Sequence, residues 1–233
     1  RTMKLTVLVA AATMALASSG SFANLLTNGD AETGNLNGWS PSDSDAIAAT
    51  TLLNQATTPV NPQAGSYFFT FADDPICRSR NCGAIADMKQ AGTATAGLHY
   101  TLSGFFSNEE FDGGAGLAVD TAEVELVFYD GAGATGSQVA TSGVIDLGFS
   151  GNGLWDDFSV NLTAPADAAS WQVVLFGTAV AGTYANVNFD SLSLTAVPLP
   201  PAAILLASAL GGIVVLGRRR GKGDSDGSKA ELA

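Results

Sequence analysis

Val187-Asn188-Phe189-Asp190-Ser191-Leu192-Ser193-Leu194 is the stretch on which the fold turns. Successive side chains of a β-strand point to opposite faces, so a one-sided strand keeps its apolar residues on one parity. Here the apolar parity changes between Phe189 and Leu192. A period of two permits that only where the strand bulges or bends, and Asp190 sits at the break.

Outward from this stretch, other runs also read as strands. Trp171-Gln172-Val173-Val174-Leu175-Phe176 carries apolar residues on both parities, which predicts a central strand covered on both faces. Tyr100-Thr101-Leu102-Ser103-Gly104-Phe105-Phe106 puts Tyr100 and Leu102 on one face and Thr101 and Ser103 on the other, core against a wetter side. Further β-rich runs span 46–53, 67–71, 84–90, 123–129 and 155–162, and turn-rich segments at 35–39, 59–65, 112–116, 131–136 and 148–153 separate them. Eight or nine strands with no helical periodicity predict an all-β antiparallel sandwich or barrel.

Both ends of the chain differ from this body. Arg1 and Lys4 precede an apolar stretch from Leu5 to Ala17, and Ser21-Phe22-Ala23 offers the small residues that signal peptidase requires. Residues 1–23 therefore read as an export signal cleaved after Ala23. Near the other end, Val197-Pro198-Leu199-Pro200-Pro201 precedes an apolar run, and Arg218-Arg219-Arg220 follows it. Leu199 to Leu216 is 18 residues without a charge, the length of a minimal transmembrane helix, and the arginines after it place everything before Val197 outside. Between the ends lies one domain, residues 24–196.

That domain holds three basic residues, Arg78, Arg80 and Lys89, against nineteen acidic ones, a formal charge of −16. Nucleic acid is excluded as a partner, since phosphate binding needs clustered Lys and Arg. Cys77 and Cys82 flank a four-residue segment, and in an oxidising exported compartment they are expected to pair and close a short loop. Two thiols with one distant histidine, His99, do not supply the four ligands of a zinc site.

The C-terminal order of Val197, Pro198, Leu199 and Pro200, an apolar helix, and Arg218, Arg219 and Arg220 resembles the VPLPA variant of the PEP-CTERM sorting signal. The resemblance covers 197–220 and implies recognition by an exosortase-type membrane protease in a Gram-negative bacterium. It implies a precursor anchored in the inner membrane, then a cell-surface or extracellular product. Pro201 stands where that pattern has a small residue, and a polar tail, 221–233, follows the arginines that normally end it.

A second resemblance covers nearly the whole domain. Asn24-Leu25-Leu26-Thr27-Asn28-Gly29-Asp30-Ala31-Glu32-Thr33-Gly34 with Gly38-Trp39, then Gly65-Ser66-Tyr67, Gly97-Leu98-His99-Tyr100, Trp155 and Phe189-Asp190-Ser191-Leu192, is similar to jelly-roll carbohydrate-binding modules of the galactose-binding-like superfamily. It implies a jelly-roll β-sandwich with Trp39 and Trp155 in the core. It also implies a structural calcium that pins the first strand to the last, with Asp30, Glu32 and Asp190 as ligands. Calcium takes six to eight oxygens, so carboxylates from distant segments suit it. Read alone, the same residues equally suit turn positions and a bulge. Ala31 replaces the usual phenylalanine, and Ser191 replaces a second acid.

A saccharide site needs aromatic rings and polar groups in a concavity. Phe106, Phe111 and Trp171 are the candidates, with 105–111 as the rim. Neighbouring acids occur at Glu109-Glu110, Glu123-Glu125 and Asp156-Asp157, but no G-x-S-x-G elbow, histidine pair or phosphate-cradling glycine loop accompanies them. The expected function is thus a non-catalytic exported surface or matrix protein. A module binding extracellular polysaccharide is the alternative, and a glycoside-active enzyme a more remote one.

Overall fold

The computed structural model describes residues 22–41, 47–49, 60–71, 85–108, 110–112, 117–151, 153–178 and 185–198. These contain thirteen strands, numbered in chain order, and all pairings are antiparallel. None of the described residues is helical, so no described helix is long and apolar enough to cross a membrane. The export signal up to 21, Cys77, Cys82, Leu199, Pro200, Arg218, Arg219 and Arg220 lie outside the described residues.

One sheet runs in the order β1 (Ser40–Pro41), β4 (Ile85–Thr93), β12 (Ser170–Thr178), β8 (Thr121–Tyr129) and β10 (Ile145–Asp146), with β9 (Gln138–Thr141) also on β8. The other runs β11 (Asp156–Thr163), β5 (Leu98–Asn108), β13 (Val187–Pro198), β3 (Phe68–Thr70) and β2 (Ile47–Ala49). A small ribbon pairs β6 (Glu110–Asp112) with β7 (Leu117–Val119). The long strands β4, β5, β8, β11, β12 and β13 alternate between the two large sheets, so each sheet is assembled from segments far apart in the chain.

Alternation explains the core. Tyr100, Leu102 and Phe106 of β5 face Leu126 and Phe128 of β8, and Trp171, Val173 and Leu175 of β12 fill the same layer. The Tyr100 and Phe128 rings meet edge-on with centroids 5.0 Å apart. Burying each such side chain is worth about 1.5–3 kcal/mol, so this layer dominates the stability. The expected central strand is confirmed: β12 pairs along its whole length with β4 on one side and β8 on the other. Val174, on its outer face, is buried too.

The parity change in the last strand is a bulge. Asp190 lies opposite Phe105 and Ser193 opposite Ser103, so Ser191 and Leu192 together face Gly104. Ser191 takes a left-handed conformation, φ 51°. Leu192 then swings into the core beside Phe189, where a Cβ on residue 104 would lie 2.6 Å from its Cδ2. A larger residue there would press on the end of the Leu192 side chain.

Beside the bulge, the first segment staples the last strand. Leu25 N donates to Leu194 O, Leu192 N to Gly29 O, and the Asn24 side chain bonds Leu192 O and Leu194 N. β13 continues through Val197 and Pro198, opposite His99 and Leu98, two residues beyond the boundary expected at Ala196.

Candidate functional site

The first and last segments do bring carboxylates toward each other. Asp190 is fully buried; its Oδ2 accepts from Gln63 N at 2.9 Å and Ala64 N at 3.2 Å, and its Oδ1 from Ser191 N at 2.6 Å. Glu32 Oε1 accepts from Ser66 N at 2.7 Å and Tyr67 N at 2.9 Å. Asp30 is exposed and bonds Glu32 N at 3.4 Å. Burial pushes the Asp190 carboxyl up from its ordinary value; backbone donors oppose this, and the Glu32 charge adds to it.

Among the described residues, Lys89 pairs with Asp87 and no basic side chain pairs with Asp190 or Glu32. Asp190 and Glu32 repel each other at a strand junction, and each accepts backbone N–H groups there; a hard divalent cation bridging them would neutralise that charge. No group of three His, Cys, Asp or Glu side chains gathers among the described residues, so the remaining oxygens of such a site would come from the backbone.

The expected saccharide rim requires correction. Phe106 is 2% exposed and Trp171 3%, both packed in the core, so neither presents a face to a ligand. The physical reason is parity: Phe106 shares a face with Tyr100 and Leu102, and Trp171 with Val173 and Leu175. It is Phe105, not Phe106, that turns outward. Phe111 lies in β6, opposite Ala118 of β7. Trp39 is a core residue as expected, with its ring centroid 5.5 Å from that of Phe69. Trp155 instead stays partly exposed, edge-on to Phe68, and its Nε1 donates to Asn61 O at 2.8 Å.

Among the described residues, a concavity lies elsewhere, at one end of the sandwich. Asp120, Thr121, Asp146, Gly148 and Phe149 line a cavity of about 230 Å³. Asp120 precedes β8, while Asp146 ends β10, which the register opposite Val124 and Glu123 brings alongside. Phe149 is 45% exposed, a large ring held at the surface.

Asn108, the last residue of β5 and fully buried, ties the two walls together. Its Nδ2 donates to Asp120 O at 2.9 Å and Gly148 O at 2.6 Å, and its Oδ1 accepts from Ser150 N at 3.0 Å. Asp120 Oδ2 accepts from Asn186 N at 2.7 Å, and Asp146 Oδ1 from Gly148 N at 2.8 Å. Gly148 turns the loop at φ 81°, a left-handed value that aims Phe149 away from the core.

Sequence reasoning did not select these residues. One signal was available: Phe149 sits in Gly148-Phe149-Ser150-Gly151, an aromatic in a turn-forming run with no strand to bury it. The arrangement offers a ring face, the exposed Asp146 carboxylate and the Thr121 hydroxyl around one small hollow, with the buried Asp120 behind them. Those are the groups a sugar ring engages through its C–H face and its hydroxyls.

No family model matches this sequence, and no curated protein matches it either. Among solved structures, the chain is similar to the Stig cyclase Fisc from Fischerella sp. TAU, with 15% identity over 76% of this chain and 98% of that one, at a TM-score of 0.54. It is also similar to the enzymatically active domain of bacteriophage CBA120 tailspike protein 4, with 13% identity, 75% of this chain covered and a TM-score of 0.53. The match spans only 21% of that tailspike chain. Carbohydrate-binding modules are among the neighbours, including a family 16 carbohydrate-binding module-2 at 20% identity, covering 74% of this chain and 99% of that one, at a TM-score of 0.47. The first two likenesses establish a common β-sandwich fold and nothing finer.

Proposed function

We propose that this chain is an exported, non-catalytic β-sandwich that binds glycan at the sandwich end. The observation that carries the reading is the hollow in which half-exposed Phe149 stands beside Asp120, Asp146 and Thr121. At about 230 Å³ it is smaller than the roughly 300–1,000 Å³ of drug-sized pockets, which favours one sugar unit over a long chain segment. Phe149 would stack on the C–H face, with Asp146 and Thr121 bonding hydroxyls. Asn108 would act as a positioning residue, holding both walls without touching the sugar.

The end signals give this module its address. Cleavage after Ala23 would expose Asn24, whose side chain already bonds the last strand. The 197–220 segment would hold the precursor in the inner membrane for an exosortase-type protease, delivering the module to the cell surface or matrix. Calcium held by Glu32 and Asp190, with Asp30 beside them, would neutralise the junction and lock the first segment to the last.

The test is retardation of the purified chain in gels containing different polysaccharides, repeated with Phe149→Ala and Asp146→Ala. Retardation by at least one glycan that either substitution abolishes is the expected result. No retardation by any of the panel, or turnover of a glycan by the folded protein, would overturn the reading.

A further inference from the structure

We propose that Asn37-Gly38 is a self-modification site, where the folded domain loses ammonia and gains a carboxylate, while the same dipeptide at Asn28-Gly29 is protected. The chain holds three Asn-Gly pairs, and Asn152 of the third lies outside the described residues. Glycine has no side chain to crowd its nitrogen, so the glycine N of such a pair reaches the neighbouring carboxamide through a five-membered ring. Sequence makes the two described pairs alike; their surroundings do not.

Asn37 stands at an open turn. Trp39 N donates to Leu36 O at 2.8 Å and Gly38 takes φ 87°, the glycine position of a type II turn. Both Asn37 and Gly38 are exposed. Among the described residues nothing bonds the Asn37 carboxamide or Gly38 N, and the bond from Asn37 N to Asn35 Oδ1 leaves the reacting atoms untouched. Turning the Asn37–Gly38 peptide toward the carboxamide therefore breaks no hydrogen bond of its own.

Asn28 is held at both ends of its amide. Its Nδ2 donates to Asn35 O at 2.8 Å, and its Oδ1 accepts from Thr33 N at 3.0 Å. Gly29 is buried against β13: its O accepts from Leu192 N, and a Cβ on it would lie 2.3 Å from Leu192 O. This peptide cannot turn without releasing the staple between the first segment and the last strand.

The chemistry at Asn37 needs only water. Gly38 N bonds to Asn37 Cγ as the Cγ–Nδ2 bond breaks, and the Gly38 N–H proton leaves with the ammonia. Water then opens the cyclic imide at either carbonyl, giving aspartate or, with the chain rerouted through Cβ and Cγ, isoaspartate. The second product lengthens the main chain by a carbon just before Trp39. There is little slack to absorb it, since a Cβ on Gly38 would lie 2.8 Å from Thr27 Cβ. Trp39 takes up the added length, and with it the contact to Phe69 and the bond from Nε1 to Asn28 O at 3.3 Å.

The test incubates the purified full chain at mildly alkaline pH, folded or in urea, and follows the amide-to-acid mass gain in peptides carrying residue 28 or 37. In urea the two pairs should react alike. In the folded chain acid should appear at 37 about thirtyfold faster than at 28, because two hydrogen bonds must first break at Asn28. The aged peptide carrying residue 37 should be a substrate for an isoaspartyl methyltransferase. Aged wild type should melt earlier than fresh protein, and Asn37→Gln should retain more of its Tm over the same interval. Equal rates at 28 and 37 in the folded chain, or reaction at 37 only after unfolding, overturns the assignment.

Discussion

Two fully buried polar side chains organise this sandwich, and they do so in different ways. Asp190 at the strand junction is a carboxylate surrounded by donors: Gln63, Ala64 and Ser191 all point N–H groups at it. Asn108 at the hollow is a neutral amide that gives two hydrogen bonds through Nδ2 and receives one from the Ser150 backbone. The amide is satisfied by backbone groups and the Ser150 hydroxyl. The carboxylate still carries a charge that burial penalises and that Glu32 repels. A neutral hub can therefore hold a cavity open by itself, whereas a charged hub would be relieved by a cation, which sets the proposed binding end apart from the proposed fastening end.

The sharpest break of that comparison is Asn108→Ala. It strands the Asp120 and Gly148 carbonyls and should cost about 3 kcal/mol, read by urea unfolding, and abolish glycan retardation as well. Calcium tests the other hub. At a hundredfold excess over its dissociation constant it would add about 2.7 kcal/mol, so chelation should lower the Tm of wild type but leave that of Asp190→Ala unmoved. In chelator, Asp190→Ala should itself cost about 2 kcal/mol, since partly exposed donors recover water, with no loss of retardation.

A pH scan in chelator sharpens the difference between charge and amide. The folded Asp190 carboxyl is raised above 3.8, so between that value and its folded value the native state binds the extra proton. Its contribution to stability is present at low pH and falls as pH rises through that window. Asp190→Asn should remove this component of the slope, seen as the difference between the two Tm profiles. The smallest stability effect is expected for Phe149→Ala: within about 0.5 kcal/mol, because the ring is exposed, although retardation is lost.

Much of the fold was legible because period two leaves marks in the sequence. Phe189 and Leu192 cannot both face the core on a regular strand, so the bulge was readable, and two-sided apolarity marked β12 as central. The hollow was not readable. Its walls, Asp120-Thr121 and Asp146 to Phe149, meet only through the β8–β10 register, and β10 is two residues long, too short for any periodicity. Phe106 and Trp171 carry the opposite lesson: aromatic chemistry suits them to a sugar, but parity with Tyr100 and Leu102, and with Val173 and Leu175, puts both rings inside.

The pairing of β13 with β5 also has a mechanical meaning. A tether at Pro198, as the proposed anchor would supply, would pull along the strand, while a ligand held at the hollow would pull the other way from the far end of β5. Interstrand hydrogen bonds lie across that direction, so the ladder is sheared with its bonds loaded together instead of being unzipped one after another. The Leu25 and Asn24 bonds to the opposite edge of β13 share that load. If the domain is anchored and binds glycan as proposed, such a geometry would make it a stiff link between the two.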